Sequence, residues 1–187
     1  MAHSQSPAVV DLLAAVRRGD TGAVDSLFGL LYPDLRQLAH SRLRRSGRLT
    51  LLDTTGLVNE AYLRLFDTGS LAASDKGQFM AYAAHVMRSV VVDFVRRRST
   101  ARRGGGAVHV ELESEPIPAD PRAVEVLKIN EALEELGSID ERLMRVVEMR
   151  YFAGLTEEQV AEALGLSRRS VARDWEKARL FLSRSLD

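Results

Sequence analysis

Apolar residues return every three or four positions along nearly the whole chain, and this period decides what the sequence can fold into. Val9, Leu12, Leu13 and Val16 form one such face before Gly19 interrupts it. Asp20 then stands as the N-cap of a second stretch, where Val24, Leu27, Phe28, Leu31, Leu35, Leu38 and Leu43 continue the stripe and Pro33 is expected to bend the axis. A period near 3.6 buries one face of a helix, whereas a half-buried strand needs alternation at every second residue. Only "AVHVELE", residues 107–113, approaches that alternation, and its glycine- and proline-rich surroundings argue against a strand. The expected fold class is all-α.

The same pattern divides the chain. A third helix is expected in "LLDTTGLVNEAYLRLF", residues 51–66, followed by a glycine- and serine-containing connection over residues 67–78. A fourth, "FMAYAAHVMRSVVVDFVRRR", is long and ends in a basic cluster. Composition then changes abruptly, because residues 104–121 hold three glycines, three prolines, four acids and no basic residue. Such a stretch cannot bury enough apolar surface to order itself and reads as a linker. Helical periodicity resumes in "AVEVLKINEALEEL" and "DERLMRVVEMRYF". Two small helical domains, 7–100 and 122–187, joined by a flexible linker over 101–121, are the expected organisation.

The sharpest local pattern lies near the C-terminus, in "LTEEQVAEALGLSRRSVARDWEKARLFL". Thr156 and Gln159 have the spacing of a capping box, Gly165 is placed to end that helix, and Ser167 is placed to cap the next. Val160, Ala161, Leu164, Leu166 and Val171 can fill the angle between the two, giving a helix-turn-helix. In that motif the second helix enters the major groove of DNA, its first turns reaching base edges while basic side chains hold phosphates. Arg168, Arg169, Ser170 and Arg173 occupy those turns, with Lys177 and Arg179 beyond, although Asp174 and Glu176 lie among them. An αα-hairpin used only for packing is the bland alternative, and the arginines favour DNA. On the fourth helix Arg88, Arg96, Arg97 and Arg98 form a second basic group, either a solvated helix end favoured by the dipole or a groove for a nucleic acid backbone beside Phe79, Tyr82 and Phe94.

The 26 basic and 26 acidic residues cancel overall but not locally. Residues 1–103 carry 15 Lys/Arg against 9 Asp/Glu, residues 104–121 none against 4, and residues 122–187 carry 11 against 13, so the segments stand at +6, −4 and −2. The excess in the first segment suggests a polyanionic partner. Cysteine is absent, which excludes a disulfide framework, a thiolate metal site and a cysteine nucleophile. The four histidines, His3, His40, His85 and His109, lack metal-ligand spacing, and no glycine-rich phosphate loop is present. Neither an enzyme, a metal nor a cofactor is expected. With no membrane-length apolar run and no signal-like N-terminus, a cytoplasmic protein is expected.

Three passages together resemble a bacterial RNA polymerase sigma factor of the extracytoplasmic function (ECF) type. "DTTGLVNEAYLRLF" resembles the helix that docks on the polymerase clamp. "FMAYAAHVMRSVVVDFVRRR" resembles the helix that binds and melts the minus-ten element. "RVVEMRYFAGLTEEQVAEALGLSRRSVARDWEKARLFL" resembles the domain that reads the minus-thirty-five element. The resemblance implies core RNA polymerase and promoter DNA as partners. It assigns Arg88, Asp93, Arg96 and Arg97 to the melting helix, with the loop from Thr68 to Gln78 capturing a flipped base. It assigns Ser167, Arg168, Arg169, Ser170, Arg173 and Lys177 to the upstream element, and lets the acidic stretch Glu111–Asp120 thread the RNA exit path. Tyr82 stands where the family usually has tryptophan, Ser89 where asparagine is usual, and "ARDW" replaces a commoner lysine-serine-arginine-leucine pattern.

The clamp helix departs furthest. In the family it starts Asp-Ala-Glu-Asp before Leu-Val-Gln-Glu, and aligning "LVNE" leaves Asp53 as the first acid, with Thr54, Thr55 and Gly56 in place of the rest. Asn59 and Glu60 continue the implied clamp surface. Those acids would pair with basic residues of the polymerase, so their loss should weaken docking. A phosphoryl group on Thr54 or Thr55 would return about −1.5 to −2 charge at a helix N-terminus, which favours it. A Ser/Thr protein kinase is therefore an expected partner, against the plainer reading that the threonines are N-caps. The sequence names no anti-sigma partner. The competing expectation is a helix-turn-helix repressor with a ligand-sensing or dimerising N-terminal bundle, which would bind duplex DNA tightly as a dimer and without polymerase.

Overall fold

The computed structural model describes residues 7–46, 53–67, 71–102 and 121–186, and every element among them is helical. In chain order they are α1 (Pro7–Arg17), α2 (Thr21–Ser46), α3 (Thr54–Asp67), α4 (Lys76–Arg102), α5 (Pro121–Ile139), α6 (Glu141–Val147), a π-helical turn (Glu148–Phe152), α7 (Glu157–Leu164) and α8 (Arg168–Leu186). The fold is all-α. Of the expected linker 101–121, residues 101–102 continue α4 and Pro121 opens α5, while 103–120, with the Glu111–Asp120 passage and "AVHVELE" inside it, lies outside the described residues, as do Thr68, Gly69 and Ser70 of the expected base-capture loop.

Local chemistry sets the helix ends. Asp20 accepts the N–H groups of Gly22 and Ala23 at 2.9 and 3.2 Å, satisfying donors that the first turn of α2 leaves orphaned. Asp75 does the same for α4 through Gln78 N–H at 2.9 Å. α2 runs through Pro33, which has no N–H to give the carbonyl of Gly29, and both residues are exposed.

α1 packs on α2, α2 on α3 and α3 on α4, forming an N-terminal bundle around Leu13, Leu27, Leu31, Leu57, Leu65, Phe79 and Met87, all fully buried. Polar ties reinforce its seams. Arg64 reaches Asp93 at 2.7 Å between α3 and α4, and Lys76 reaches Asp34 at 2.7 Å between α4 and α2. α8 packs along α5, α6 and α7, so the last helix is the spine of the C-terminal half.

The two halves are not separate. α4 meets α5, the π-helical turn and α7, and one continuous apolar core includes Met87 and Val90 from α4 with Leu133, Leu136 and Phe152 from beyond residue 120. A second, smaller core joins Val160, Ala161, Ala163 and Val171 of α7 and α8 to Val146 of α6 and Met149 of the π-helical turn. Phe79→Ala, which empties the middle of the N-terminal bundle, is expected to lower unfolding free energy by about 3–5 kcal/mol in denaturant titrations, the range for deleting a buried aromatic side chain.

Candidate nucleic-acid and polymerase interface

α7 and α8 form the turn that the sequence indicates. Thr156 Oγ1 accepts Gln159 N–H at 3.3 Å while Gln159 Oε1 accepts Thr156 N–H at 2.8 Å, a reciprocal capping box. Gly165 closes α7 at φ 64°, a left-handed conformation that a side chain would strain. Ser167 then caps α8, its Oγ accepting Ser170 N–H at 3.1 Å.

The inward face of α8 is Val171, Asp174 and Ala178. Asp174 is 0% exposed and is held by Arg142 of α6 at 2.9 Å, so this acid is absent from the outer surface. That outer surface carries Arg169, Arg173 and Lys177 at four-residue spacing, all exposed, which places them in one stripe. Arg168 is also exposed but turned back onto α7, where it meets Glu157 at 3.2 Å and Glu158 at 3.0 Å. The two acids must be displaced before Arg168 can serve a phosphate. The Glu158 carboxyl sits below its ordinary value: a backbone hydrogen bond at the helix start lowers it most, desolvation opposes that, and the Thr156 side chain and the Arg168 charge add to the lowering.

On α4 the residues assigned to melting do not share a surface. Arg96 and Arg97 are exposed, the latter with its guanidinium 5.8 Å from the Phe94 ring. Asp93 is tied to Arg64. Arg88 points the other way and is 6% exposed. Its Nη2 donates to Glu148 Oε1 at 2.9 Å and its Nη1 donates to Asn130 Oδ1. His85 Nδ1 approaches the same Glu148 oxygen at 2.8 Å, and Asn130 is oriented by donating to Glu134 at 2.9 Å. Sequence reasoning did not find Glu148, His85 and Asn130; the one available signal was an acid inside the apolar run "RVVEMRYF".

At the start of α3 the cap is Asp53, whose Oδ1 accepts Gly56 N–H at 2.7 Å. The plainer reading of the threonines as N-caps is therefore replaced: Thr54 is the first helical residue, half-buried, and Thr55 follows it, exposed. Glu60 is drawn toward Arg64 at 3.4 Å. What remains outward on this helix is Thr55, Asn59 and Leu63, the last 62% exposed. Among the described residues no cluster of His, Asp or Glu is placed to hold a metal ion, and no helix is long and apolar enough to cross a membrane.

The family profile of ECF sigma factors matches residues 6–187. The chain belongs to the ECF sigma factor family. Among solved structures, CnrH in complex with the cytosolic domain of CnrY is similar over 96% of this chain and 97% of that one, at 22% identity and a TM-score of 0.42. No curated protein sequence matches the chain. As a family, ECF sigma factors are regulators of transcription that work with RNA polymerase on promoter DNA, and they are not enzymes.

Two measurements follow for this sigma factor. Asp53→Ala should cost about 1 kcal/mol of stability by removing the α3 cap, whereas Thr55→Ala should stay within about 0.5 kcal/mol in the same denaturation assay. Burial pushes the Glu148 carboxyl up, but the hydrogen bonds and charges of His85 and Arg88 outweigh it and hold the group below 4.5. A carboxylate with a depressed folded-state pKa contributes stability above its unfolded value, and that contribution disappears as pH falls through the folded value. Glu148→Gln should therefore destabilise the protein by about 1–3 kcal/mol near pH 7, as for loss of a charged hydrogen bond, and the gap to wild type should close below pH 4.5.

Proposed function

We propose that this sigma factor binds core RNA polymerase through the outward face of α3, melts promoter DNA with α4 and reads the upstream element with α8. We further propose that phosphorylation of Thr54 or Thr55 by a Ser/Thr protein kinase switches polymerase binding on. The observation that carries the second step is the charge state of the α3 surface. Asp53 is engaged by its own helix start and Glu60 leans on Arg64, so Thr55, Asn59 and Leu63 face outward with no free carboxylate among them.

The clamp surface for which the family carries acids is basic, and a surface without them forfeits charge-assisted hydrogen bonds. A phosphoryl group on Thr55 restores negative charge at the exposed N-terminus of a helix, where the dipole and unpaired N–H groups stabilise it. Thr55 is the better substrate of the two because Thr54 is half-buried. For the DNA-reading step, the support is the burial of Asp174 beneath Arg142, with Arg169, Arg173 and Lys177 exposed in one stripe and Arg173 keeping a 3.7 Å contact to Asp174.

Kinase-treated protein and Thr55→Glu should bind core polymerase about tenfold or more tighter than Thr55→Ala, the equivalent of at least about 1.4 kcal/mol, in pull-down and in vitro transcription. Equal binding by Thr55→Ala and kinase-treated protein would exclude the switch.

A further inference from the structure

Asp174 lies on the inward face of the helix that carries the basic stripe, between Val171 and Ala178, and is fully buried. A carboxylate in such a place costs desolvation energy, and apolar residues of similar volume usually pack a buried site at least as stably as an ion pair does. Adhesion of α8 to α6 therefore does not call for an acid. What a buried carboxylate adds is direction, because its charged neighbours must point at it.

Two arginines point at Asp174. Arg142 stands in the first turn of α6, its N–H held by Asp140 Oδ1 at 3.0 Å. It brings Nε to 2.9 Å from Asp174 Oδ2, while its Nη2 donates to Oδ1 at 3.4 Å. Arg173 approaches the same Oδ1 with its Nε, at 3.7 Å. Adjacent residues of a helix project about 100° apart, so their side chains ordinarily diverge. That of Arg173 bends back to its neighbour and still remains 63% exposed.

The contact is made through Nε. A guanidinium is a rigid fork, so holding Nε fixes the plane and heading of the Nη1–Nη2 end. Arg168 shows the opposite use of the same chemistry: its Nε meets Glu157 at 3.2 Å and its Nη1 meets Glu158 at 3.0 Å, which occupies the end that would read a base.

We propose that Asp174 is a positioning residue for base readout, orienting the exposed fork of Arg173 for a bidentate contact with a guanine of the upstream element. Guanine is the base that fits, since its O6 and N7 present two adjacent acceptors in the major groove and the guanidinium end presents two donors. Arg142 anchors the carboxylate from beneath and touches no DNA. The assignment rests on the reading of α8 as the DNA-reading helix.

Holoenzyme assembled from the full chain and core polymerase, selecting from a promoter library randomised across the upstream element, provides the test. Base preference is a ratio within one library, so it does not depend on how much holoenzyme forms. The unaltered protein should select guanine at one position, and Arg173→Ala should reduce that preference about tenfold or more. Asp174→Asn should lower preference for the same guanine about fivefold, leave other positions unchanged and add nothing in the Arg173→Ala background. The pair Arg142→Met/Asp174→Leu separates positioning from packing. It refills the site with apolar volume, so it should fold as stably as the unaltered protein and still lack the guanine preference. The assignment is overturned if the guanine preference survives Arg173→Ala, if the Asp174 variants keep it or weaken every position alike, or if the apolar pair restores it. A holoenzyme that opens promoters with no base preference anywhere in the upstream element would remove the reading of α8 itself, and the role of Asp174 with it.

Discussion

The relation between the two halves of this sigma factor depends on one buried ion pair. Arg88 and Glu148 are sixty residues apart in sequence and share a site from which water is almost excluded. Desolvating two charges costs several kcal/mol each, and their mutual attraction, with the hydrogen bond from Arg88 to Asn130 and the contact of His85 with Glu148, roughly offsets that cost. The pair therefore adds little net stability over an apolar contact. Its effect is on geometry, since every register other than the observed one strands a charge. Apolar surface such as Phe152, stacked beneath the Arg42 guanidinium at 3.8 Å, supplies adhesion that is indifferent to register.

That division of labour explains which features could be read from the chain. Helix period and caps are local, so Asp20, the Thr156–Gln159 box, Gly165 and Ser167 all do in the fold what their spacing indicates. The all-α class follows from the same information. Asp53 was legible too, as an acid just before a helix, but the two threonines beside it drew the cap assignment because side-chain type cannot tell N-cap from the first helical turn.

Tertiary partners were not legible. An exposed arginine on a basic helix and a buried arginine awaiting a carboxylate have the same sequence neighbourhood, so Arg88 reads like Arg96 and Arg97 until α5 and the π-helical turn are in place. Asp174 shows the converse case. It looks like a defect in a DNA-reading helix, and only the position of Arg142 on α6 shows that it faces inward, where its Oδ1 also lies 3.7 Å from Arg173 Nε. The partners lie 32 and 60 residues away, beyond any window over which periodicity carries information.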